Sequence, residues 1–387
     1  MSLRPQDEAA AHLLASGQHV YLRPAVLAGA SSAADSRGDA PLALAGGALT
    51  ITGIEIITRG NRVAGGPVVA PATLRRLAGR GGPDQDRSVA GTLDRLSSPR
   101  PPVAGLAFDA PRIMGVINVT PDSFSDGGKF AGPETAIAHG RALAASGADI
   151  LDIGGESTRP GAAPLAPGEE IARVLPVITG LRGVRPLSID TRNASVMAAA
   201  LEAGATLIND VTALTHDPES LAVAAGTAAP VVLMHSRGDP ATMQSAPRYD
   251  DALLDVYDDL EARIAACGAA GIPPSCLIAD PGIGFGKTAD HNKDILRCIS
   301  LFHGLGVALM AGLSRKSLIA RLSAGEGVQD RLAGSIAGAL WVLSQGVQIV
   351  RVHDVAETRQ AISVWRELAH AGGASAAPAD FPIKTFA

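Results

Sequence analysis

The sequence predicts an α/β protein, a TIM (β/α)8 barrel with a small irregular N-terminal extension, on three observations. From Arg112 onward, eight short apolar runs alternate with Ala-rich helical patterns, the rhythm of βα units wound around a parallel sheet. Each run stops at a polar or Gly-rich loop, as in barrels that carry their chemistry at the carboxyl ends of the strands. The chain has 387 residues, 47% of them hydrophobic, enough for one large core and an appendage. A doubly wound open sheet is the structural alternative. It normally has fewer strands and does not place polar residues after all of them.

Residues 1–110 form the extension, 111–372 the barrel and 373–387 a tail. Within the extension, 42–59 reads as a hairpin with Gly46-Gly47 at its turn and alternation through Thr50-Ile-Thr-Gly-Ile-Glu-Ile56. Residues 70–77 read as one short helix. The polar stretch 80–103, closing in Ser97-Ser-Pro-Arg-Pro-Pro102, reads as a linker. An isolated hairpin and a short helix are too small for an independent catalytic domain. Packing against the barrel or an oligomer contact is the expected role, and a private binding function is the other reading.

The eight strands are expected at 113–117, 150–153, 187–190, 206–209, 231–234, 277–280, 307–311 and 349–352. Helical patterns separate them, for example at 135–146, 194–203, 250–270 and 334–344. About 260 residues for eight such units is the usual size of this barrel.

Composition excludes several partners. A net charge of −5 without basic tracts argues against nucleic acid or an anionic membrane. No run reaches the roughly 18 apolar residues of a membrane span, and acids near Met1 stand where a signal peptide carries bases. Cys267, Cys276 and Cys298 are too few for a disulfide frame or zinc site and read as small buried thiols. Cys276 is expected to open a strand and Cys298 to lie within a helix. The expected location is cytoplasmic.

The strand ends share a chemical logic. They are Asn118, Gly154-Gly-Glu-Ser-Thr-Arg-Pro-Gly161, Asp190-Thr-Arg192, Asn209-Asp210 and His235-Ser-Arg237. Then follow Asp280-Pro-Gly-Ile-Gly-Phe-Gly-Lys287, Gly312-Leu-Ser-Arg-Lys-Ser317 and Arg351-Val-His353. Asp190, Asn209 and Asp280 pair carboxylates with an amide, which suits a flat heterocycle carrying an amino group beside a ring N–H, such as a pterin. Thr158, Arg159, Ser314, Lys316, Ser317, Arg351 and His353 suit phosphate. The amides of Ser314-Arg-Lys-Ser317, at a helix start, are expected to be available to an anion.

Each residue has a plainer reading. A single strand-end Asp caps a helix as often as not, and a lone His353 is a surface or capping residue. Lys287 and Arg237 read as solvated charges. Gly282, Gly284 and Gly286 lack the spacing of a dinucleotide fingerprint, and no acid follows about 20 residues on. Eight polar loops together are beyond these separate readings.

Asn118-Val-Thr-Pro-Asp-Ser-Phe-Ser-Asp-Gly-Gly128, Gly154–Gly161, Asp280–Gly286, Ser314–Ser317 and Arg351-Val-His353 resemble dihydropteroate synthase, a pterin-binding TIM-barrel family and the sulfonamide target of folate biosynthesis. The resemblance runs from about 111 to 370. It implies condensation of 6-hydroxymethyl-7,8-dihydropterin pyrophosphate with p-aminobenzoate, giving 7,8-dihydropteroate and pyrophosphate. By motif, it implies that Asn118 holds the Mg²⁺ of the leaving pyrophosphate, which Thr158, Arg159, Arg351 and His353 grip. It implies that Asp190, Asn209, Asp280 and Lys316 hold the pterin, with Met234 and Phe285 in apolar contact. Ser317, with Pro160 and Phe124, receives p-aminobenzoate, and the loops at 121–128 and 158–161 close over it. Asp190, Lys316, Arg351 and His353 are the implied catalytic residues, and the family implies a homodimer.

No Ser-His-Asp or Cys-His arrangement is visible, so no covalent protein intermediate is required. A stabilised leaving group and an electron-rich pterin, with Asp190 nearby, favour a dissociative, SN1-like substitution. Two other functions fit the barrel: a methyltetrahydrofolate corrinoid methyltransferase and a non-catalytic pterin-binding paralogue. The first needs no pyrophosphate grip, and the second should have lost anion ligands; the residues named above argue against both.

Overall fold

The computed structural model describes residues 4–29, 42–60, 65–79, 83–119, 132–156, 165–238, 243–244 and 246–369. Eight parallel strands close into the barrel: β5 (Arg112–Asn118), β6 (Ile150–Gly154), β7 (Leu187–Asp190), β8 (Leu207–Asp210), β9 (Val231–Met234), β10 (Leu277–Asp280), β11 (Ala308–Ala311) and β12 (Ile349–Val352). Closure is made by β12 against β5, with Arg351 opposite Met114. The open sheet is thereby excluded. Around the strands lie α4 (Pro133–Ala145), α5 (Pro167–Leu181), α6 (Ala194–Ala203), α7 (Ser220–Thr227), α8 (Ala252–Ala269), α9 (Ala289–Arg297), α10 (Ser317–Leu322), α11 (Leu332–Ser344) and α12 (Val355–Ala369). A 3-10 segment, Ile299–Leu305, follows α9.

Strand pleating sorts the side chains. Leu151, Ile153, Ile189 and Ile208 point outward into the helix layer, and Met114, Ile150, Leu207, Val232, Ile278, Ala308, Met310 and Ile349 fill the barrel interior. The turn at Val103–Leu106, closed by two reciprocal main-chain hydrogen bonds, packs Val103 against that interior cluster. With hydrocarbon below, polar groups gather in one row at the other end. Asn118, Gly154, Asp190 and Asn209 are successive register partners across β5, β6, β7 and β8.

The extension is more regular than expected. It contains α1 (Pro5–Ala15), β1 (Tyr21–Gly29), β2 (Leu42–Ala43), β3 (Leu49–Ile57), β4 (Val68–Val69), α2 (Pro71–Ala78) and α3 (Pro83–Ser97). The expected hairpin is β2–β3, but the longer antiparallel partner of β3 is β1. Register shifts beside Pro24 and Val26 hide β1 from a simple alternation test. The linker expected at 80–103 is corrected: α3 occupies most of it, burying Val89, Leu93 and Leu96 at four- and three-residue spacing. Arg100, within the Pro-rich close, is itself buried.

The extension has its own apolar core, including Leu22, Ile51, Ile54, Ile56, Leu74, Leu77 and Leu93. It meets the barrel along α8 and the Ile299–Leu305 segment. There Arg59 bonds Asp255 and Asp258 at 2.7 and 2.6 Å, and the Ser300 hydroxyl donates to Pro24 O at 2.7 Å. Arg95 and Arg100 donate to the carbonyls of Gly304 and His303 at 2.6 and 2.9 Å. Among the described residues no helix is long and apolar enough to cross a membrane. The three cysteines are free, but only Cys267 is buried. Cys276 ends a 3-10 turn before β10, and Cys298 lies just past α9.

Candidate active site

Asp190 and Asp280 end β7 and β10, Asn209 is the penultimate residue of β8, and Arg351 reaches them from β12. The Arg351 fork spans two acids: Nη2 donates to Asp190 Oδ2 and Nε to Asp152 Oδ2, both at 2.6 Å. Asn209 Nδ2 donates to the same Asp152 oxygen at 3.1 Å. Asp152 was missed in the sequence because it lies inside β6. Its signal was a lone carboxylate in Ile150-Leu-Asp-Ile153, two residues before the strand end and therefore on the inward face.

The acids exceed the cations. Burial pushes the Asp190 carboxyl up to about 7; Arg351 opposes the shift, while the charges of Asp152, Glu170 and Asp210 add to it. Burial also raises Asp280, with Lys316 opposing. The Lys316 amine is drawn down to about 8 by burial, against the pull of Asp280.

The loop after β10 is held at five consecutive carbonyls. Lys287 Nζ donates to Gly282 O and Phe285 O at 3.0 and 3.1 Å, and Lys316 Nζ donates to Ile283 O at 2.5 Å. Gln244 donates to Gly284 O at 2.6 Å and the Tyr249 hydroxyl to Gly286 O at 2.9 Å. Two glycines are required here. At φ +66°, a Cβ on Gly282 would lie 1.9 Å from His235 O; at φ +61°, one on Gly286 would lie 2.3 Å from Arg237 O. The loop places Phe285 under Lys316, whose Nζ is 4.7 Å from the ring centroid.

Lys287 is thus no solvated charge: it is 2% exposed and faces His235 Nδ1 at 2.8 Å as well as those carbonyls. With His235 Nε2 donating to Asp259, every neighbour of the Lys287 nitrogen is an acceptor. Arg237 is exposed as expected, but it lies over the Tyr249 ring at 4.2 Å and bonds Asp259.

At β12, His353 is oriented by Ser314. The hydroxyl accepts the His353 amide at 3.1 Å and lies 3.0 Å from Nδ1. The expectation that the Ser314–Ser317 amides serve an anion is corrected in part, because Arg315 N donates to Ser335 Oγ and Lys316 N to Leu313 O. Ser317 is exposed at the start of α10, Met234 is buried at the end of β9, and Asn118 is half-buried at the end of β5. Asp210 instead caps its own turn, accepting from Thr212 and Leu214. Thr158, Arg159, Pro160 and Phe124, and the loops 121–128 and 158–161, lie outside the described residues.

Acids, an amide and two cations thus converge at the carboxyl end of the barrel strands. Residues 114–353 match the pterin binding enzyme family. The chain belongs to that family. It is 44% identical over 261 residues to the dihydropteroate synthase of Escherichia coli (strain K12), covering 67% of this chain and 92% of that protein. It is 47% identical over 271 residues to that of Neisseria meningitidis serogroup B, covering 68% and 94%. Among solved structures, Xanthomonas albilineans dihydropteroate synthase with 4-aminobenzoic acid aligns at 48% identity and a TM-score of 0.65, covering 68% of this chain and 96% of that one. The same enzyme in complex with 7,8-dihydropteroate aligns at 45% identity and a TM-score of 0.62, covering 68% and 95%.

Proposed function

We propose that this chain carries out its dihydropteroate synthase activity with the groups gathered at the barrel mouth. The activity is an alkyl transfer in folate biosynthesis: p-aminobenzoate displaces pyrophosphate from 6-hydroxymethyl-7,8-dihydropterin pyrophosphate to give 7,8-dihydropteroate. The convergence of Asp190, Asn209, Asp280, Lys316 and Arg351 on one cleft carries the reading.

Asp190 and Asp280 accept the ring donors of the pterin, Asn209 pairs with its edge and Lys316 offers a charged donor to a ring acceptor. Met234 and Phe285 supply apolar contact. Arg351 and His353, with Thr158 and Arg159, grip the pyrophosphate, and Ser317, Pro160 and Phe124 serve p-aminobenzoate. Asp190, placed at the electron-rich ring, stabilises positive charge as the methylene carbon loses pyrophosphate, so the aniline attacks last in an SN1-like order.

Asn118 fits a magnesium site of the kind shared with a substrate. It offers one hard oxygen at the mouth, and among the described residues no cluster of three His, Cys, Asp or Glu groups forms a complete protein site. When bound, the ion neutralises charge on the leaving pyrophosphate. Exposed Leu322, Trp341, Val364 and Leu368, on α10, α11 and α12, support the homodimer that the family resemblance implies. Free thiols are consistent with a cytoplasmic location.

The test is direct: folded protein with dihydropterin pyrophosphate, p-aminobenzoate and Mg²⁺ should yield dihydropteroate and pyrophosphate. No product would overturn the reading. Positional isotope exchange in dihydropterin pyrophosphate without p-aminobenzoate tests the SN1-like order, and its absence would count against it.

A further inference from the structure

We infer that Asp152 is a positioning residue for this reaction: its buried carboxylate holds the Arg351 fork and fixes the orientation of the Asn209 amide. The inference rests on the function proposed above and adds a residue outside the strand-end set. Asp152 is 0% exposed, at the third position of β6, with Val116 and Ser188 as register partners. A carboxylate there is expensive, because a buried charge costs several kcal/mol unless it is compensated. Ile150, two residues earlier on the same inward face, is apolar and buried, so the strand itself does not call for a charge at this face. The charge is therefore retained for what it contacts.

Both contacts fall on one oxygen. Oδ2 accepts from Arg351 Nε at 2.6 Å and from Asn209 Nδ2 at 3.1 Å. Oδ1, and the Ser188 hydroxyl beside it in register, have no hydrogen-bond partner among the described residues. The carboxylate is thus aimed at two site residues at the expense of its own satisfaction.

For Asn209 the consequence is orientation. A carboxylate only accepts, so the amide must turn Nδ2 toward Asp152 and leave Oδ1 as the acceptor offered to the mouth. A pterin edge bearing an amino group needs that acceptor; the flipped amide would oppose donor to donor.

For Arg351 the consequence is retention. Asp190 holds Nη2, and Asp190 is also the group proposed to receive the pterin. When the ring takes that carboxylate, Nη2 becomes available to the pyrophosphate. The Nε contact to Asp152 keeps the guanidinium in the mouth throughout. Asp152 thereby couples filling of the pterin pocket to the pyrophosphate grip.

Asp152→Asn keeps the volume and removes the charge. Expected results are a kcat/KM for dihydropterin pyrophosphate lower by about 30-fold or more, with KM for p-aminobenzoate unchanged. Calorimetric binding of 6-hydroxymethyl-7,8-dihydropterin, which has no pyrophosphate, should also weaken through Asn209. Melting temperature should fall, since removing one partner of a buried ion pair leaves Arg351 less compensated, so the kinetic loss is read per folded molecule. A folded variant with wild-type kcat/KM and wild-type pterin affinity would overturn the inference, as would a lower melting temperature with unchanged kinetics per folded molecule. If Asp152→Asn fails to fold, Arg351→Lys retains charge but loses the Nε contact; wild-type kcat/KM in that variant would equally overturn it. Wild-type turnover is the control that separates the two claims, because an inactive wild type overturns the proposed function instead.

Discussion

The barrel mouth and the seam beneath the extension each hold an arginine, half-buried in the first and buried in the second, in opposite ways. In the mouth, Arg351 lies between Asp152 and Asp190, and three acids including Asp280 face two cations. In the seam, Arg100 is 6% exposed and donates to the main-chain carbonyls of Ser98 and His303, with no carboxylate partner among the described residues. The mouth holds an excess of acids, and burial displaces the titration of Asp190 and Lys316 toward neutrality, with the neighbouring acids adding to the shift at Asp190. The seam spends its donors on carbonyls that need them. A mouth of that kind is poised for a ligand with donors to give, whereas the seam's arginine is held by main-chain carbonyls, with its Nε left without a partner among the described residues.

The comparison breaks most sharply at Lys316 and Arg100. Lys316→Met should lower kcat/KM for dihydropterin pyrophosphate by about 100-fold or more, because Asp280 loses a neighbouring positive charge and the pterin a charged donor. Its melting temperature should fall by less than that of Arg100→Met, since only one carbonyl, Ile283 O, loses its donor while a half-buried charge is removed. Arg100→Met should do the reverse. Two carbonyls lose their donor, at about 2 kcal/mol in all, seen as a melting temperature lower by several degrees with kcat and KM unchanged. If both variants shift both readouts to the same extent, the two regions are not separable.

Next in size is the pH profile of the mouth. Asp190, raised to about 7, must be ionised to accept the pterin, so kcat/KM should rise as pH rises through that value. Lys316, lowered to about 8, must be protonated to donate, so kcat/KM should fall as pH passes 8. A narrow bell results. Asp190→Asn should remove the acid limb from whatever activity remains, and an acid limb near pH 4 to 5 in wild type would show that the carboxylate is not displaced. The seam has no comparable signature: burial pushes His303 down to about 3 and Arg100 down to about 10, both far from the bell.

The same contrast governs what the sequence reveals. Barrel strands buried on both faces read as continuous apolar runs, so the expected spans fall within a residue or two of β5 to β12. Asp190, Asn209 and Asp280 were visible because each interrupts such a run at its end. Asp152 interrupts one in the middle, where the period of two gives its inward direction but no strand-end motif marks it as part of the site. Lys287 and Arg100 were illegible for another reason. Their partners are carbonyl oxygens of Gly282, Phe285, Ser98 and His303, which every residue possesses and no side-chain pattern marks. α3 was obscured by Gly91 and the flanking prolines, although Val89, Leu93 and Leu96 carry its apolar stripe.

The smallest effect is expected at the rim of the seam. Arg59 is 44% exposed and bridges Asp255 and Asp258, and the Tyr21 hydroxyl donates to Asp258 at 2.9 Å. Water and salt screen such a pair, so Arg59→Ala should cost under about 1 kcal/mol and leave turnover unchanged. Raising the salt concentration should shrink the melting-temperature difference between wild type and Arg59→Ala, but not the one caused by Arg100→Met, whose lost bonds are buried. A larger cost at Arg59 than at Arg100 would mean that the extension is held to the barrel by its charged rim, and the contrast between a charged mouth and a packed seam would fail.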